Sequence, residues 1–174
     1  MHLRPLLPPA SRGSLGSLLV LVSLAGCGTT TVPPGPDAAD PVCASIIATA
    51  PKEILGHARQ ETNSQGTLVW GEGEDAIVLR CGVEPPGPTT QQCTTLADAA
   101  GAEVDWIVTT SDDEDPEDPS AMVLFTTYGR TPAVDISVPR SAAPEQPSAV
   151  PLEFTRPIAA IPATTRCIGP GDAA

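Results

Sequence analysis

The sequence predicts an α+β domain: a mainly antiparallel sheet of about five strands, with short N- and C-terminal helices on one face and two disulfides. Three observations lead to this prediction. Apolar residues recur at a helical period just after residue 40, and from residue 67 onward they alternate with polar residues at a period of two. Strands and helices do not alternate as βαβ units would require. Antiparallel pairing is therefore expected.

The first helix is predicted to begin at Asp40, a residue type that caps helix N-termini, followed by a proline suited to the first helical position. The apolar positions at helical spacing are Cys43, Ile46, Ile47 and Ala50. Pro51 interrupts the helix. Residues 53–56 are predicted to add one more helical turn, closed by a cap at Gly56.

Five strands are predicted from alternation and from β-branched or aromatic content. They cover residues 68–70, 76–83, 104–110, 122–128 and 133–138. In the last strand Val134, Ile136 and Val138 are expected to face inward, and Asp135 outward. Gly129 is expected to supply the positive φ of a tight hairpin turn.

The C-terminal part is rich in Pro, Ala and Ser after Arg140, and Pro157 and Pro162 interrupt it. These prolines restrict any helix to a short segment, predicted at residues 157–165. The domain is expected to span residues 41–168, with a disordered tail over 169–174.

Residues 1–26 have the pattern of a bacterial lipoprotein signal peptide. Arg4 and Arg12 precede an apolar run over residues 15–24, and Leu-Ala-Gly-Cys ends at Cys27. The run is about half the roughly 20 residues that a membrane-spanning helix needs. Resemblance to lipoprotein signals implies lipid transfer to the Cys27 sulfur and cleavage before it. An ordinary secretory signal with a chance cysteine is the alternative.

These features predict a protein anchored by lipid on the extracytoplasmic face of the cell membrane. Residues 27–40, rich in Thr, Pro and Gly, are predicted to form a flexible tether.

The charge of the chain argues against nucleic acid as a partner. The formal net charge is −12, with 21 acidic residues against nine basic ones. Removal of the signal peptide takes away Arg4 and Arg12 and no acid, which leaves −14. A protein that binds phosphate backbones needs clustered Lys and Arg. The lipid, rather than electrostatic attraction, would hold this domain at the membrane.

Once Cys27 is assigned to the lipid, four cysteines remain in an oxidising compartment, and two disulfides are the expected outcome. Three pairings are formally open. Proximity through the proline-rich loop favours Cys81 with Cys93, and Cys43 with Cys167 is then expected to clamp the first helix to the C-terminal segment. A zinc site is disfavoured because the sequence has no C-x-x-C pair.

Catalytic chemistry has weak support in the sequence, and no cofactor or metal is predicted. A Ser-His-Asp arrangement would have to use His57, and no G-x-S-x-G motif accompanies it. Carboxylates are abundant, but no pair stands out. The loop at residues 111–120, with six acids between positions 111 and 118, lacks the glycine and glutamate of an EF-hand. A solvated loop is expected there, with weak calcium binding as the alternative.

Large residues are few in this chain and offer two interpretations. Tryptophans on strands are commonly core residues, and arginines commonly pair with acids. The alternative is a sheet face or edge that recognises a peptide, glycan or protein, with arginine binding an anionic group. The candidate binding residues are Trp70, Arg80, Trp106, Tyr128 and Arg130.

Several segments together resemble a known family. They are Trp70-Gly71, the run over residues 77–83, Val104-Asp-Trp106, and the run over residues 125–134 that leads to Val138-Pro139. They are similar to the actinobacterial secreted and lipoprotein family called domain of unknown function 3515, over about residues 41–167. The resemblance implies an envelope location and no established activity.

The function predicted from the sequence is that of a lipid-anchored envelope protein, a non-enzymatic binding module for an unknown envelope protein or cell-wall component. An accessory enzyme of cell-wall hydrolysis or transfer, using carboxylates or His57, is the alternative.

Overall fold

The computed structural model describes residues 30–111, 115, 118 and 120–168. Its helices are α1 (Pro41–Thr49), α2 (Ala149–Leu152) and α3 (Thr155–Ala159), with one 3₁₀ turn at Gly73–Asp75. Its strands are β1 (Glu53–Ile54), β2 (His57–Gln60), β3 (Thr67–Trp70), β4 (Ile77–Val83), β5 (Gln92–Ala97), β6 (Glu103–Thr110), β7 (Met122–Thr127) and β8 (Ala133–Pro139). Within the described residues, no helix has the length and apolar character needed to cross a membrane.

The eight strands form one antiparallel sheet in the order β1-β2-β3-β4-β8-β7-β6-β5. Each of the runs β1 to β4 and β5 to β8 is a meander, in which consecutive strands are neighbours. The pairing of β4 with β8 joins the two meanders in the middle of the sheet. The connection from β4 to β5 carries the chain from the centre of the sheet to its far edge.

The predicted α+β fold with about five strands is wrong, because the domain is mostly one eight-stranded antiparallel sheet with a few short helices. The sequence missed β1, β2 and β5. The turn between β1 and β2 places Leu55 at φ 50° and Gly56 at φ 82°. Positive φ at both central residues is typical of a two-residue hairpin turn. Gly56 therefore turns a hairpin where a helix cap was predicted.

Strand β5 escaped prediction because it is an exposed edge strand. Its residues, Gln92 to Ala97, are exposed or half-buried, so no apolar face marks it in the sequence. The five predicted strands are present as β3, β4, β6, β7 and β8, within a few residues of their predicted bounds. Gly129 lies at φ 69° in the turn between β7 and β8, as predicted.

The N-terminal helix is confirmed. Asp40 caps α1, because its carboxylate accepts a hydrogen bond of 2.8 Å from the Val42 amide. The C-terminal prediction is wrong in its bounds: two short helices, α2 and α3, replace the helix expected at residues 157–165. Pro157 is the third residue of α3, where a proline removes no hydrogen bond within the helix.

Residues 30–40, the described part of the segment predicted as a tether, lie against the sheet. The Asp37 amide donates a hydrogen bond of 2.9 Å to the carbonyl of Gly82, and Val32 and Ala38 are buried. The backbones cross so closely that a Cβ on Gly35 would collide with the Gly82 carbonyl. Gly82 itself has φ 81° and lies at the irregularity in β4.

The core lies between one face of the sheet and the helices. Ile46 of α1, together with Phe154 and Ile158 near and within α3, packs in one cluster with the inward residues of the strands. Asp135, which the alternation of β8 predicts to face outward, is nevertheless buried.

Both disulfides are present, with pairings that differ from those favoured by the sequence. Cys43 bonds to Cys81 and Cys93 bonds to Cys167, with Cα–Cα distances of 5.4 and 5.5 Å. The first joins α1 to β4, and the second joins the C-terminal segment to the edge strand β5. The expected Cys81–Cys93 bridge fails because β4 and β5 lie apart in the sheet, with three strands between them.

Peptide mapping of the non-reduced protein should find Cys43 joined to Cys81 and Cys93 joined to Cys167. The loops close over 38 and 74 residues, so replacing either pair by alanine should lower the free energy of unfolding by up to about 4 kcal/mol in the chain-entropy account. Mass spectrometry of the digest and urea denaturation of each double variant measure these outcomes. A Cys43–Cys167 peptide would contradict the pairing.

Candidate functional site

The structure places the candidate binding residues in three different surroundings: the core, the β4–β8 junction and one end of the sheet. Trp70 and Trp106 are fully buried, with 0% exposure. The Trp70 indole donates to the Pro51 carbonyl at 3.0 Å and packs edge-on against Phe154, while Trp106 packs edge-on against Phe125. The two tryptophans are core residues and form no recognition face.

Arg80 belongs to an ion pair across the junction of the two meanders. Arg80 on β4 stands directly opposite Asp135 on β8. Its Nε donates to Asp135 Oδ1 at 3.0 Å, and its Nη2 donates to Oδ2. The side chain of Asp135 is only 5% exposed. Burial raises the pKa of Asp135, and the hydrogen bonds from Arg80 offset part of that shift.

Arg130 is buried in the middle of the β7–β8 turn, with 7% exposure. Its Nη1 donates to the carbonyl of Ala159 at the end of α3 and to that of Ile161 just beyond it. Its Nη2 donates to the carbonyl of Glu103 at 3.0 Å. Its Nε has no hydrogen-bond partner among the described residues.

No carboxylate of the described residues forms an ion pair with Arg130 within 4 Å. Burial lowers the pKa of Arg130; Asp105 partly offsets this shift and nearby Arg166 adds to it. A buried guanidinium held only by carbonyl groups is uncommon, because a buried charge normally has a charged partner.

Arg130 lines a polar cavity of about 330 Å³, which we call the Arg130 pocket. Its lining residues are Gly101, Glu103, Asp105, Arg130, Ala159, Ala163 and Arg166. The pocket forms where the C-terminal segment returns to the sheet. There the backbones of Ala163 and Arg130 form an isolated antiparallel β-bridge. The Thr164 amide donates a hydrogen bond of 2.7 Å to the Gly129 carbonyl. The charged side chains comprise two guanidinium groups and two carboxylates.

Asp105 is held in place by other groups. Its Oδ1 accepts a hydrogen bond of 2.6 Å from the Thr95 hydroxyl, and its Oδ2 accepts one of 3.1 Å from the Cys167 amide. Arg166 and Glu103 are exposed, and neither side chain has a hydrogen bond or ion pair with any residue that the structure describes.

Tyr128 is half-buried in a second cavity of about 270 Å³ that also includes Arg166. Thr89, Thr90, Gln91 and Ile107 line this cavity as well. The structure therefore brings Tyr128 and Arg130 together around Arg166, and separates both from Arg80 and the tryptophans.

Sequence reasoning missed Glu103, Asp105 and Arg166. Asp105 is marked in the sequence only as a polar residue within a predicted strand, and Arg166 lies in an irregular segment with no periodicity. The adjacent Cys167 is the signal that was available, because a disulfide at that position fixes Arg166 against the sheet.

The catalytic alternative gains no support from the described geometry. His57 is half-buried beside Gly71, and in the described part of the chain no residue hydrogen-bonds to its ring. No group of three potential metal ligands occurs in the ranges that the structure covers. Most of the acidic loop, and Cys27 with its preceding segment, lie outside the described residues.

The fold and site define a disulfide-linked antiparallel-sheet domain with a polar, arginine-containing pocket at one end. A family model described as protein of unknown function (DUF3515) matches residues 25–165. The chain belongs to this family. Comparisons with curated proteins and with solved structures found no significant match.

The Arg80–Asp135 pair should make stability depend on pH in a defined direction. Arg80→Met leaves Asp135 buried without its partner, and because Arg80 is 34% exposed we expect a loss of about 2 kcal/mol at pH 7 rather than the larger cost of a fully buried pair. The loss should shrink as the pH falls through the raised pKa of Asp135, since the protonated group is neutral.

In the wild type, the folded state retains the Asp135 proton at a higher pH than the unfolded chain. This group therefore lowers the free energy of unfolding as the pH rises from its ordinary pKa through its raised one. Urea denaturation between pH 4 and pH 7 measures both effects, with Asp135→Asn as the control without the titrating group. An Arg80→Met loss that is constant with pH would contradict this account.

Proposed function

We propose that this protein is a lipid-anchored binding module of the cell envelope, of the actinobacterial secreted type, and that it binds a partner through an anionic group in the Arg130 pocket. The buried guanidinium of Arg130 lines a polar cavity and forms no ion pair within 4 Å with a described carboxylate, and this observation carries the proposal. The envelope location rests on the Leu24 to Cys27 pattern.

Arg130 supports this proposal because its charge is only partly compensated. Carbonyl dipoles at the end of α3 and at Glu103 stabilise the guanidinium, but they supply no negative charge. An anionic group in the pocket would supply one in a region of reduced solvent, where charge interactions are stronger than at the surface. Arg166, exposed at the rim, would add direct hydrogen bonds of the kind that arginine makes to carboxylate or phosphate.

Binding is better supported than catalysis. The Arg130 pocket contains two carboxylates, but both oxygens of Asp105 accept hydrogen bonds, as expected for a residue with a positional role. No described residue of the pocket is a histidine, serine or cysteine that could act as a nucleophile. The cellular partner proposed here is an envelope protein or cell-wall component that presents an anionic group.

If Cys27 carries the lipid anchor, replacing this residue should change where the protein is found in the cell. Cys27→Ser should move the protein from the membrane fraction to the soluble extracytoplasmic fraction or leave it uncleaved, because the sulfur that receives the lipid is absent. Cell fractionation followed by intact-mass analysis measures both outcomes, and Arg156→Gln, which retains Cys27 and both disulfides, serves as the control. Processed Cys27→Ser protein in the membrane fraction in wild-type amounts would refute lipid anchoring.

If the Arg130 pocket binds an anion, replacing Arg166 should weaken that binding and leave the stability of the protein unchanged. Titration of the full chain in detergent with acetate, at constant ionic strength, should shift the backbone amide signals of Gly101 and Ala163 in NMR spectra. Arg166→Gln should weaken this binding about tenfold, equivalent to ~1.4 kcal/mol, without lowering the melting temperature. Arg166 is exposed, and its side chain forms no hydrogen bond or ion pair with any described residue.

Arg156→Gln is the matched control, since it removes the same charge from a side chain that is 75% exposed and lines a different cavity. It should leave acetate binding unchanged. Equal affinities in the wild type and Arg166→Gln, or an equal loss in both variants, would reject the proposed site.

A further inference from the structure

The Arg130 pocket contains opposite charges that do not pair with each other. Arg130, Arg166, Glu103 and Asp105 line one cavity of about 330 Å³, yet no ion pair within 4 Å joins any of these described residues. The formal charges of the four side chains sum to zero. A pocket that recognised only an anion would not need two carboxylates in its lining, since like charges weaken binding.

The structure shows what keeps these groups apart. Carbonyl groups hold Arg130, and the Thr95 hydroxyl and Cys167 amide hold Asp105. Glu103 is the first residue of β6, whereas Arg166 lies on the returning C-terminal segment. Cys167 is fixed to β5 by its disulfide, which restrains the neighbouring Arg166. The separation of charge is therefore built into the fold.

We propose that the Arg130 pocket binds the α-amino carboxylate group of a free amino acid. The carboxylate lies against Arg166 and Arg130, and the ammonium group lies against the otherwise unpaired carboxylate of Glu103. This inference rests on the proposed function and names the class of ligand for the same site. A zwitterion matches both signs of charge, and its own charges are separated by a single carbon atom.

The size and surroundings of the pocket fit this ligand. Ligand cavities commonly start at roughly 300 Å³, so a cavity of about 330 Å³ suits a small molecule. The second cavity, of about 270 Å³, also includes Arg166 and has Tyr128 and Ile107 in its lining. It offers a mixed apolar and polar space in which the side chain of the amino acid lies.

The test compares glycine, acetate and methylammonium on the full chain in detergent, by the same NMR titration at constant ionic strength and neutral pH. Glycine should bind about fivefold or more tightly than acetate, because it gains the contact with Glu103, and methylammonium should bind more weakly than either. Glu103→Gln should reduce glycine to the affinity of acetate, without weakening acetate.

Glu153→Gln is the matched control, since it removes an exposed carboxylate that lines a different cavity. It should leave the preference for glycine intact. The main-chain carbonyl of Glu103 still accepts from Arg130 in Glu103→Gln, so the pocket should keep its shape.

The outcomes separate this inference from the proposed function. Glycine binding no tighter than acetate, or a glycine preference that survives in Glu103→Gln, overturns the amino acid proposal. If acetate binding still depends on Arg166 in that case, the anion site stands. If neither ligand shows dependence on Arg166, both proposals fall.

Discussion

The pairing of β4 with β8 is the constraint on which the rest of the structure depends. Every other strand pairing joins strands that are consecutive in sequence, as hairpins and meanders do, whereas this one brings residues 78–83 against residues 133–137. Closing such a long loop costs chain entropy that local contacts do not recover. The pairing is supported by buried apolar neighbours such as Leu79 and Ile136, and by the Arg80–Asp135 pair across it.

The two disulfides act on either side of this junction. Cys43–Cys81 attaches α1 to β4, so the nine-residue helix need not rely on its own marginal stability. Cys93–Cys167 acts at the opposite edge and holds the C-terminal segment over β5 and β6. The Arg130 pocket forms where that segment returns to the sheet. Ala159, Ala163 and Arg166 close one side of the cavity, and the start of β6 and the β7–β8 turn close the other.

The sequence predicted those elements whose side chains alternate between core and surface. β4 and β8 show that alternation, and Gly129 and Asp40 carry local signals that require no tertiary context. β1, β2 and β5 do not alternate, since they are short or lie at a sheet edge. Their existence follows from pairing with a neighbour, which a single sequence does not encode locally.

The same reason explains the mixed outcome at the candidate site. Residue type predicts Arg130 and Tyr128 as binding residues, and they line the Arg130 pocket and the neighbouring cavity. It predicts Trp70 and Trp106 equally, and both lie in the core. Residue type alone does not tell the two environments apart. Glu103 and Arg166 meet only because of the sheet order and a disulfide between residues 74 positions apart, and the pairing of cysteines cannot be deduced from their spacing.

The packing of residues 30–40 against β4 has a consequence for the orientation of the domain at the bilayer. Three residue steps separate Cys27 from Thr30, and even a fully extended chain covers only about 11 Å over that distance. With the lipid on Cys27 as proposed, the domain would stay close to the headgroups and could not turn freely about a long linker. Molecules in the wall space would then meet the surface that faces away from Thr30, which bridges to Thr62 in the connection between β2 and β3.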